Sequence, residues 1–292
     1  MLNYIEPVFR PPSEARSFIL QVTNGCSWNG CTFCDMYTQE QKKFRPREES
    51  YLLEELKKAQ SFGARFDKVF LADGDAMTLS VRRLTRILEL IKAYLPWVKR
   101  VGAYCLPRNV ANKSVQELKA LQELGLGIVY VGAESGDDEV LGFINKGETF
   151  ASTLSCLQKC AQAGIKTSVM ILNGMGGVAY SRQHALESAR LMNAAQPDFL
   201  STLVVSYPLG DARVRAGFNG NYQLPNQLEL FQELRLLIEN LELRNTVFRS
   251  DHASNYLPLK GTLGQDKTLL LKQLDEAMSG RIALRQEWQR GL

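Results

Sequence analysis

From about Ser17 onward, short apolar runs alternate with amphipathic stretches. The runs cover residues 17–25, 68–75, 100–105, 127–136, 166–174 and 199–208; they are rich in β-branched and aromatic residues and end on Gly, Pro, Asp, Asn or Cys. Within each run apolar positions do not alternate strictly with polar ones, which suits parallel strands covered on both faces. Between them the apolar positions recur at helical spacing. Residues 48–63 carry Leu52, Leu53, Leu56 and Ala59 and close on Gly63; residues 80–95 stop at Pro96. Residues 114–124 open with Ser114 and Glu117, a capping box, and stop at Gly125. Residues 149–163, 181–195 and 227–240 complete the series.

Regular alternation of this kind predicts an α/β chain with a parallel sheet and right-handed crossovers. A closed barrel of eight such units takes about 250 residues. Six units ending near Asn240 therefore predict a partial (β/α)6 TIM-type barrel, with an open doubly wound sheet as the competing layout. Both place ligands at the strand C-termini. The expected organisation is an N-terminal extension over 1–16, a core barrel over 17–240, and a strand, loop and helix appendage over 241–292. Within that appendage the tail from Lys260 to Leu292, with leucines at 269, 270, 271 and 274, predicts a helix packed on the barrel.

Composition narrows the class. The 292 residues are 45% apolar and 23% charged, with 35 basic against 31 acidic groups for a net charge of +4. That balance gives no indication of nucleic-acid binding. No apolar run reaches the ~18 residues of a membrane span, and the first residues lack the layout of a secretory signal, so a cytoplasmic protein is expected. The basic residues Lys42, Lys43, Arg45 and Arg47 read first as a solvated loop, though they would also favour an anionic substrate.

Six cysteines are present, and Cys26, Cys31 and Cys34 fall together just after the first strand. In a reducing compartment such a cluster reads as a metal site rather than a disulfide framework. Three thiolates with no fourth leave one coordination position open, as a catalytic centre requires. A structural zinc would need a fourth ligand such as Asp35 or a distant residue, and only two histidines exist. Cys105, Cys156 and Cys160 lie in apolar segments and read as core.

With Phe33 before the last cysteine, this segment resembles the radical S-adenosylmethionine superfamily, whose usual spacing is Cys-x3-Cys-x2-Cys. The present chain has four residues in the first gap, which bears on loop geometry more than on chemistry. Two more strand ends agree. Asp73-Gly74-Asp75 stands where the family places a motif that holds the methionine ammonium; the alternative is a turn whose carboxylates cap the next helix. Gly132-Ala133-Glu134-Ser135-Gly136, followed by Asn145-Lys146-Gly147, is similar to the G-x-E-S-G segment of coproporphyrinogen oxidase relatives and cobalamin-type members, where the glutamate contacts S-adenosylmethionine. An ion pair to a neighbouring Arg is the alternative for Glu134.

The resemblance implies a [4Fe–4S] cluster on Cys26, Cys31 and Cys34. It implies S-adenosylmethionine contacts from Phe33, Asp73, Gly74, Asp75, Arg108, Glu134, Ser135 and Asn173, and a reductant such as flavodoxin or ferredoxin. The implied chemistry is reductive cleavage to a 5′-deoxyadenosyl radical that abstracts hydrogen from a substrate. With no auxiliary cysteine cluster in this sequence, a small organic substrate is expected, and the peptide-modifying and methylthio-transferring branches are not. A non-catalytic iron–sulfur protein is the rival class. Further exits, at Gly174–Gly177 and at Ser206 and Tyr207, and the polar segment from Arg249 to Tyr256, are candidates for ligand contact or for plain turns.

Overall fold

The computed structural model describes residues 2–63 and 65–290. Its elements in chain order are β1 (Phe18–Gln21), β2 (Thr23–Asn24), β3 (Arg45–Pro46), α1 (Glu49–Ser61), β4 (Lys68–Ala72), α2 (Val81–Tyr94), β5 (Arg100–Tyr104), α3 (Arg108–Ala111), α4 (Val115–Glu123) and β6 (Leu126–Glu134). They continue as α5 (Asp138–Phe143), α6 (Phe150–Gln162), β7 (Lys166–Asn173), α7 (Gly177–Ala195), β8 (Phe199–Val204), α8 (Ala212–Gly217), α9 (Gln227–Asn240), β9 (Thr246–Ser250), β10 (Leu259–Leu263) and α10 (Lys267–Met278). All six apolar runs are strands, and all six amphipathic stretches are helices.

Two compact units emerge, one of residues 1–29, 34–131 and 155–167, the other of 30–33, 132–154 and 168–292. In the first, β1, β4, β5 and β6 lie side by side and parallel. Val69, Phe70, Leu71 and Ala72 of β4 are all at 0% exposure, which explains why this strand has no polar alternation. One face is covered by Leu52 and Leu56 of α1, Leu84, Ile87, Leu88 and Ile91 of α2, and Leu118 and Leu121 of α4. Each such buried leucine contributes about 1.5–3 kcal/mol relative to exposure. Phe70, Tyr104 and Tyr130 meet edge-to-face. The capping box of α4 forms as its sequence requires: Ser114 accepts the Glu117 N–H, and the Glu117 carboxylate accepts the Ser114 N–H.

The N-terminal segment is part of this core. Glu14 is fully buried and accepts hydrogen bonds from Arg100, Tyr130 and Ser17. Arg100 opens β5, so this ionic cluster sits at the strand N-termini, the end opposite the cysteine loop.

In the second unit, β7, β8 and β9 run parallel, and β10 returns antiparallel to β9. Leu230, Leu234, Leu237 and Ile238 of α9 and Ala185, Ala189 and Met192 of α7 supply its buried helical faces. The tail corrects one expectation. Residues 259–263 are strand β10 and the helix runs only from Lys267 to Met278, with Leu270 and Leu274 buried and Leu269 54% exposed. Cross-strand pairing with β9 takes residues 259–263 out of the expected helix, while the leucines at 269, 270, 271 and 274 lie in it as expected.

Candidate functional site at the strand ends

The first unit builds a cradle for the cysteine loop. Backbone N–H groups of Trp28 and Asn29 donate to the Cys26 sulfur, favouring thiolate, although burial, with Asp75 adding to it, pushes the thiol pKa up. Gly25 adopts positive φ with its α-carbon against the backbone of Lys42, and a methyl group there would fall 1.9 Å from the Lys42 oxygen. Gly74, also at positive φ, presses against Gly25 and Cys26, where a methyl group would fall 2.0 Å from the Gly25 oxygen. Neither position tolerates a side chain. Asn24 Nδ2 donates to the carbonyls of Gln41 and Lys43, closing the loop on its own return segment.

The two aspartates take different duties. Asp75 accepts from the Ser27 N–H at 2.9 Å and from the Ser27 hydroxyl, and Asn109 Nδ2 donates to it at 3.2 Å. Burial raises its pKa, opposed by those bonds and by Arg108. Arg108 itself stacks on the Trp28 ring, 4.1 Å from the centroid. Asp75, Asn109, Arg108 and Trp28 thus fasten the turn that follows Cys26. Asp73 is instead bound within the core: Lys42 pairs with one carboxylate oxygen, Gln21 Nε2 lies 3.3 Å from it, and the other oxygen has no hydrogen-bond partner. Lys42 is 1% exposed and also donates to the Ile5 carbonyl at 2.8 Å. This corrects the reading of Lys42 as part of a solvated basic run. Only its neighbours Lys43 and Arg45 are exposed, because Asp73 supplies the counter-charge that burial of an ammonium demands.

The second unit shows why each residue of the 132–136 segment has its type. Glu134 sits at the end of β6 in the left-handed region, φ 64°, and its carboxylate folds back over Gly132. A methyl group on Gly132 would fall 2.1 Å from Glu134 Oε1. Lys146 Nζ bonds that same oxygen at 2.9 Å, whereas Oε2 is buried with no partner. The counter-ion is therefore a lysine from the following Asn145-Lys146-Gly147 turn, not an arginine. Ser135 Oγ accepts the Asp137 N–H at 3.0 Å and meets His184 Nδ1 at 2.8 Å. Gly136 lies against the backbone of α7, where its N–H donates to Ser188 Oγ at 2.9 Å. Phe33 packs on the apolar cluster of Val140, Leu141, Ile144 and Met175, with Lys146 Nζ 5.8 Å from its ring, so the residue beside Cys34 has an anchor.

Other expected contacts are committed elsewhere. Asn173 Nδ2 donates to the Leu230 carbonyl at 3.1 Å. Asn255 accepts the Val204 N–H and donates to Thr202 O and Ser250 Oγ, while Arg285 and Arg290 bind carbonyls of His252, Ser254 and Asn255. That segment is knitted to the sheet and the tail, with Arg249 and Asp251 left exposed. Cys105 and Cys160 are buried as expected; the hydrogen bond with Cys156 and then burial push the Cys160 thiol pKa up, and at Cys105 burial raises it against an opposing hydrogen bond with Cys156.

Sequence reasoning missed a buried chain in the second unit. His184 Nε2 lies 3.6 Å from Glu233, which accepts the Gly174 N–H at 2.6 Å and the Ser181 hydroxyl at 2.6 Å. The available signal was Ser181, His184 and Ser188 at i, i+3 and i+7, a polar stripe where a helix should bury apolar residues.

Cys26, Cys31 and Cys34 are half-buried. Among the described residues no three His, Cys, Asp or Glu side chains converge closely enough to hold a metal ion as they lie. The donor chemistry nonetheless fits a [4Fe–4S] cluster with one open iron: three sulfurs along one loop, backbone N–H groups turned to the first of them, and no fourth thiol beside them. The partnerless Glu134 oxygen fits a bound donor group.

Comparison with known proteins agrees. Residues 20–191 match the family model for the radical SAM superfamily. A putative methylthiotransferase of Methanocaldococcus jannaschii is 24% identical over 174 residues, 57% of this chain and 38% of that protein. An uncharacterized methyltransferase of Synechocystis is 27% identical over 163 residues, 55% of this chain and 30% of its own length. The chain thus spans well under half the length of these relatives. Among solved structures, methylornithine synthase aligns with TM-score 0.53 and 17% identity over 88% of this chain and 68% of its own. Coproporphyrinogen III oxidase of Escherichia coli gives 0.54 and 14% over 77% and 54%. These likenesses show the α/β partial-barrel fold. With more than half its length matched by the family model, the chain belongs to the radical SAM superfamily, enzymes that work with a [4Fe–4S] cluster and S-adenosylmethionine.

Proposed function

We propose that Cys26, Cys31 and Cys34 hold the [4Fe–4S] cluster and that S-adenosylmethionine lies at the strand exits, with Glu134 among its contacts. The observation that carries this reading is the Glu134 carboxylate: one oxygen is fixed by Lys146, and the other is buried without a partner at the C-terminal end of a parallel strand. A buried acceptor left unsatisfied costs about 1–3 kcal/mol, and a ligand hydroxyl or ammonium removes that cost. Asp75, Asn109, Arg108 and Trp28 brace the cysteine loop, and Phe33 anchors its far end. Asp73 serves the frame through Lys42, and its other oxygen, buried without a hydrogen-bond partner, is open to a ligand donor as Glu134 is. When bound, the cluster and S-adenosylmethionine supply one-electron cleavage of a carbon–sulfur bond, with the electron drawn from a flavodoxin- or ferredoxin-type reductant. The chemistry so supplied would be hydrogen-atom abstraction from a small organic substrate. A second reading, methyl or methylthio transfer, is favoured by the names of the two curated relatives.

The test is anaerobic reconstitution followed by dithionite, S-adenosylmethionine and an assay for 5′-deoxyadenosine, with Cys34→Ala and Glu134→Gln as controls. Product that needs Cys34 supports the reading, and Glu134→Gln should weaken S-adenosylmethionine binding about tenfold, or 1.4 kcal/mol. A full cluster in the wild-type protein that neither binds nor cleaves S-adenosylmethionine would sink it.

A further inference from the structure

Helix α7 carries a buried polar stripe that no part of the proposed reaction uses. Ser181, His184 and Ser188 follow one another at helical spacing, and His184 and Ser188 are at 1% and 0% exposure. Each reaches a strand exit or the group that holds one. Ser188 Oγ accepts the Gly136 N–H, and His184 Nδ1 meets Ser135 Oγ at 2.8 Å. Ser181 donates to Glu233 on α9, whose other oxygen accepts the Gly174 N–H at 2.6 Å. His184 Nε2, 3.6 Å from that oxygen, closes the chain. Ser135 accepts the Asp137 N–H and can donate its own proton to Nδ1; in that arrangement the histidine proton stands on Nε2, facing the carboxylate.

A buried histidine–glutamate pair is a poor way to gain stability, since apolar residues of similar volume do at least as well. Its specific effect is geometric. His184 and Ser188 hold the β6 exit to α7 by buried hydrogen bonds, Glu233 holds the Gly174 exit and is bonded to Ser181 of the same helix, and the 3.6 Å His184–Glu233 contact sets the two anchors side by side. Close packing reinforces this, because Gly176 lies against His184 Cβ, where an added methyl group would fall 3.1 Å away. Resting on the reading of Glu134 as a ligand contact, we propose that His184 and Glu233 are positioning residues, a buried brace that presets the Glu134 and Gly174 exits for S-adenosylmethionine and thereby sets its affinity.

Two readouts test this. The first is S-adenosylmethionine affinity of the anaerobically reconstituted protein, followed by the change in the cluster's electron paramagnetic resonance on titration. His184→Leu should raise the dissociation constant about tenfold, and His184→Asn, which restores a polar group facing Ser135, should recover most of the loss. Affinity within twofold of wild type in His184→Leu, or no recovery in His184→Asn, overturns the proposal. The second readout is amide hydrogen exchange in the protein without S-adenosylmethionine. Gly136 and Gly174 should exchange at least tenfold faster in His184→Leu, while α10 amides remain at wild-type rates. Acceleration spread evenly over the whole unit would mean plain destabilisation and refute the brace. Should His184→Leu fail to fold, Ser135→Ala cuts the same link with the histidine retained and is read identically. If wild-type protein with a full cluster does not bind S-adenosylmethionine, the proposed function fails by itself, and the exchange experiment still decides the brace.

Discussion

Two glycines four residues apart should respond oppositely to the same methyl group. At Gly132 an added Cβ falls 2.1 Å from Glu134 Oε1 and 3.1 Å from its Cδ, and 3.5 Å from Lys146 Nζ. All three atoms are ends of flexible side chains, and Gly132 has no left-handed backbone requirement. The carboxylate swings away, and the stability lost with its ion pair is offset by the ~0.4–1 kcal/mol that Gly→Ala gains through the unfolded state. At Gly136 the added Cβ falls 2.3 Å from Glu187 O, 2.5 Å from its C and 2.7 Å from Ser188 Cα, all backbone atoms of α7. Helix α7 must shift by about 1 Å to regain an ordinary contact, at an overpacking cost of about 1–3 kcal/mol. The Gly136–Ser188 hydrogen bond stretches with it, adding about 1 kcal/mol. Gly136→Ala should therefore lose about 2–4 kcal/mol, a fall of roughly 5–15 °C in Tm. Gly132→Ala should stay within about 1 kcal/mol of wild type yet bind S-adenosylmethionine about tenfold more weakly. Circular-dichroism melting and ligand titration on the same preparations separate the two effects. If Gly136→Ala melts with wild type, or Gly132→Ala is the less stable of the pair, the packing argument is wrong.

Other parts of the molecule give equally direct expectations. Lys42→Met strands the buried Asp73 carboxylate and should cost about 3–5 kcal/mol in urea unfolding, part of which returns when Asp73→Leu is added; a single variant as stable as wild type would contradict the ion pair. Burial raises the Glu233 pKa above 4.5, so the native state retains that proton longer than the unfolded chain. Stability from this group is present at low pH and falls as pH rises through the raised value. Glu233→Gln should flatten that fall in unfolding curves taken from pH 4 upward, and an unchanged slope would count against it. Asn255→Ala orphans the Val204 N–H and the Thr202 carbonyl and should cost about 2–4 kcal/mol without altering S-adenosylmethionine affinity. A selective loss of affinity there would instead make the segment part of the site.

The sequence carried the repeating strands and helices because each is set by local means: β-branched runs, Ser80, Ser114 and Asn226 caps, and glycine stops. The order of motifs at strand ends was equally visible, since parallel strands deliver their C-terminal residues to one edge. What escaped were contacts between residues distant in sequence. Lys42 read as solvent-facing because nothing local announces Asp73, 31 residues on, as its partner. Glu233 lies in an ordinary amphipathic helix, and only Gly174 and Ser181 give its burial meaning. Strand β10 was hidden for a related reason: the helical pattern of residues 269–274 was carried back to Lys260, and the hydrogen bonds that decide residues 259–263 come from a neighbouring strand.

The ionic cluster around Glu14 bears on how the chain is made. Its carboxylate is synthesised 86 residues before Arg100 and 116 residues before Tyr130. Until both have emerged, Glu14 stays hydrated and charged, because burial without its donors is far too costly. The first unit also draws residues 155–167 from beyond the end of β6. Folding from the N-terminus outward, common in multidomain chains, is therefore closed to this unit. Its strand N-termini are sealed only after Tyr130 has been synthesised, and until then a nascent chain exposes the apolar faces of β1 and β4.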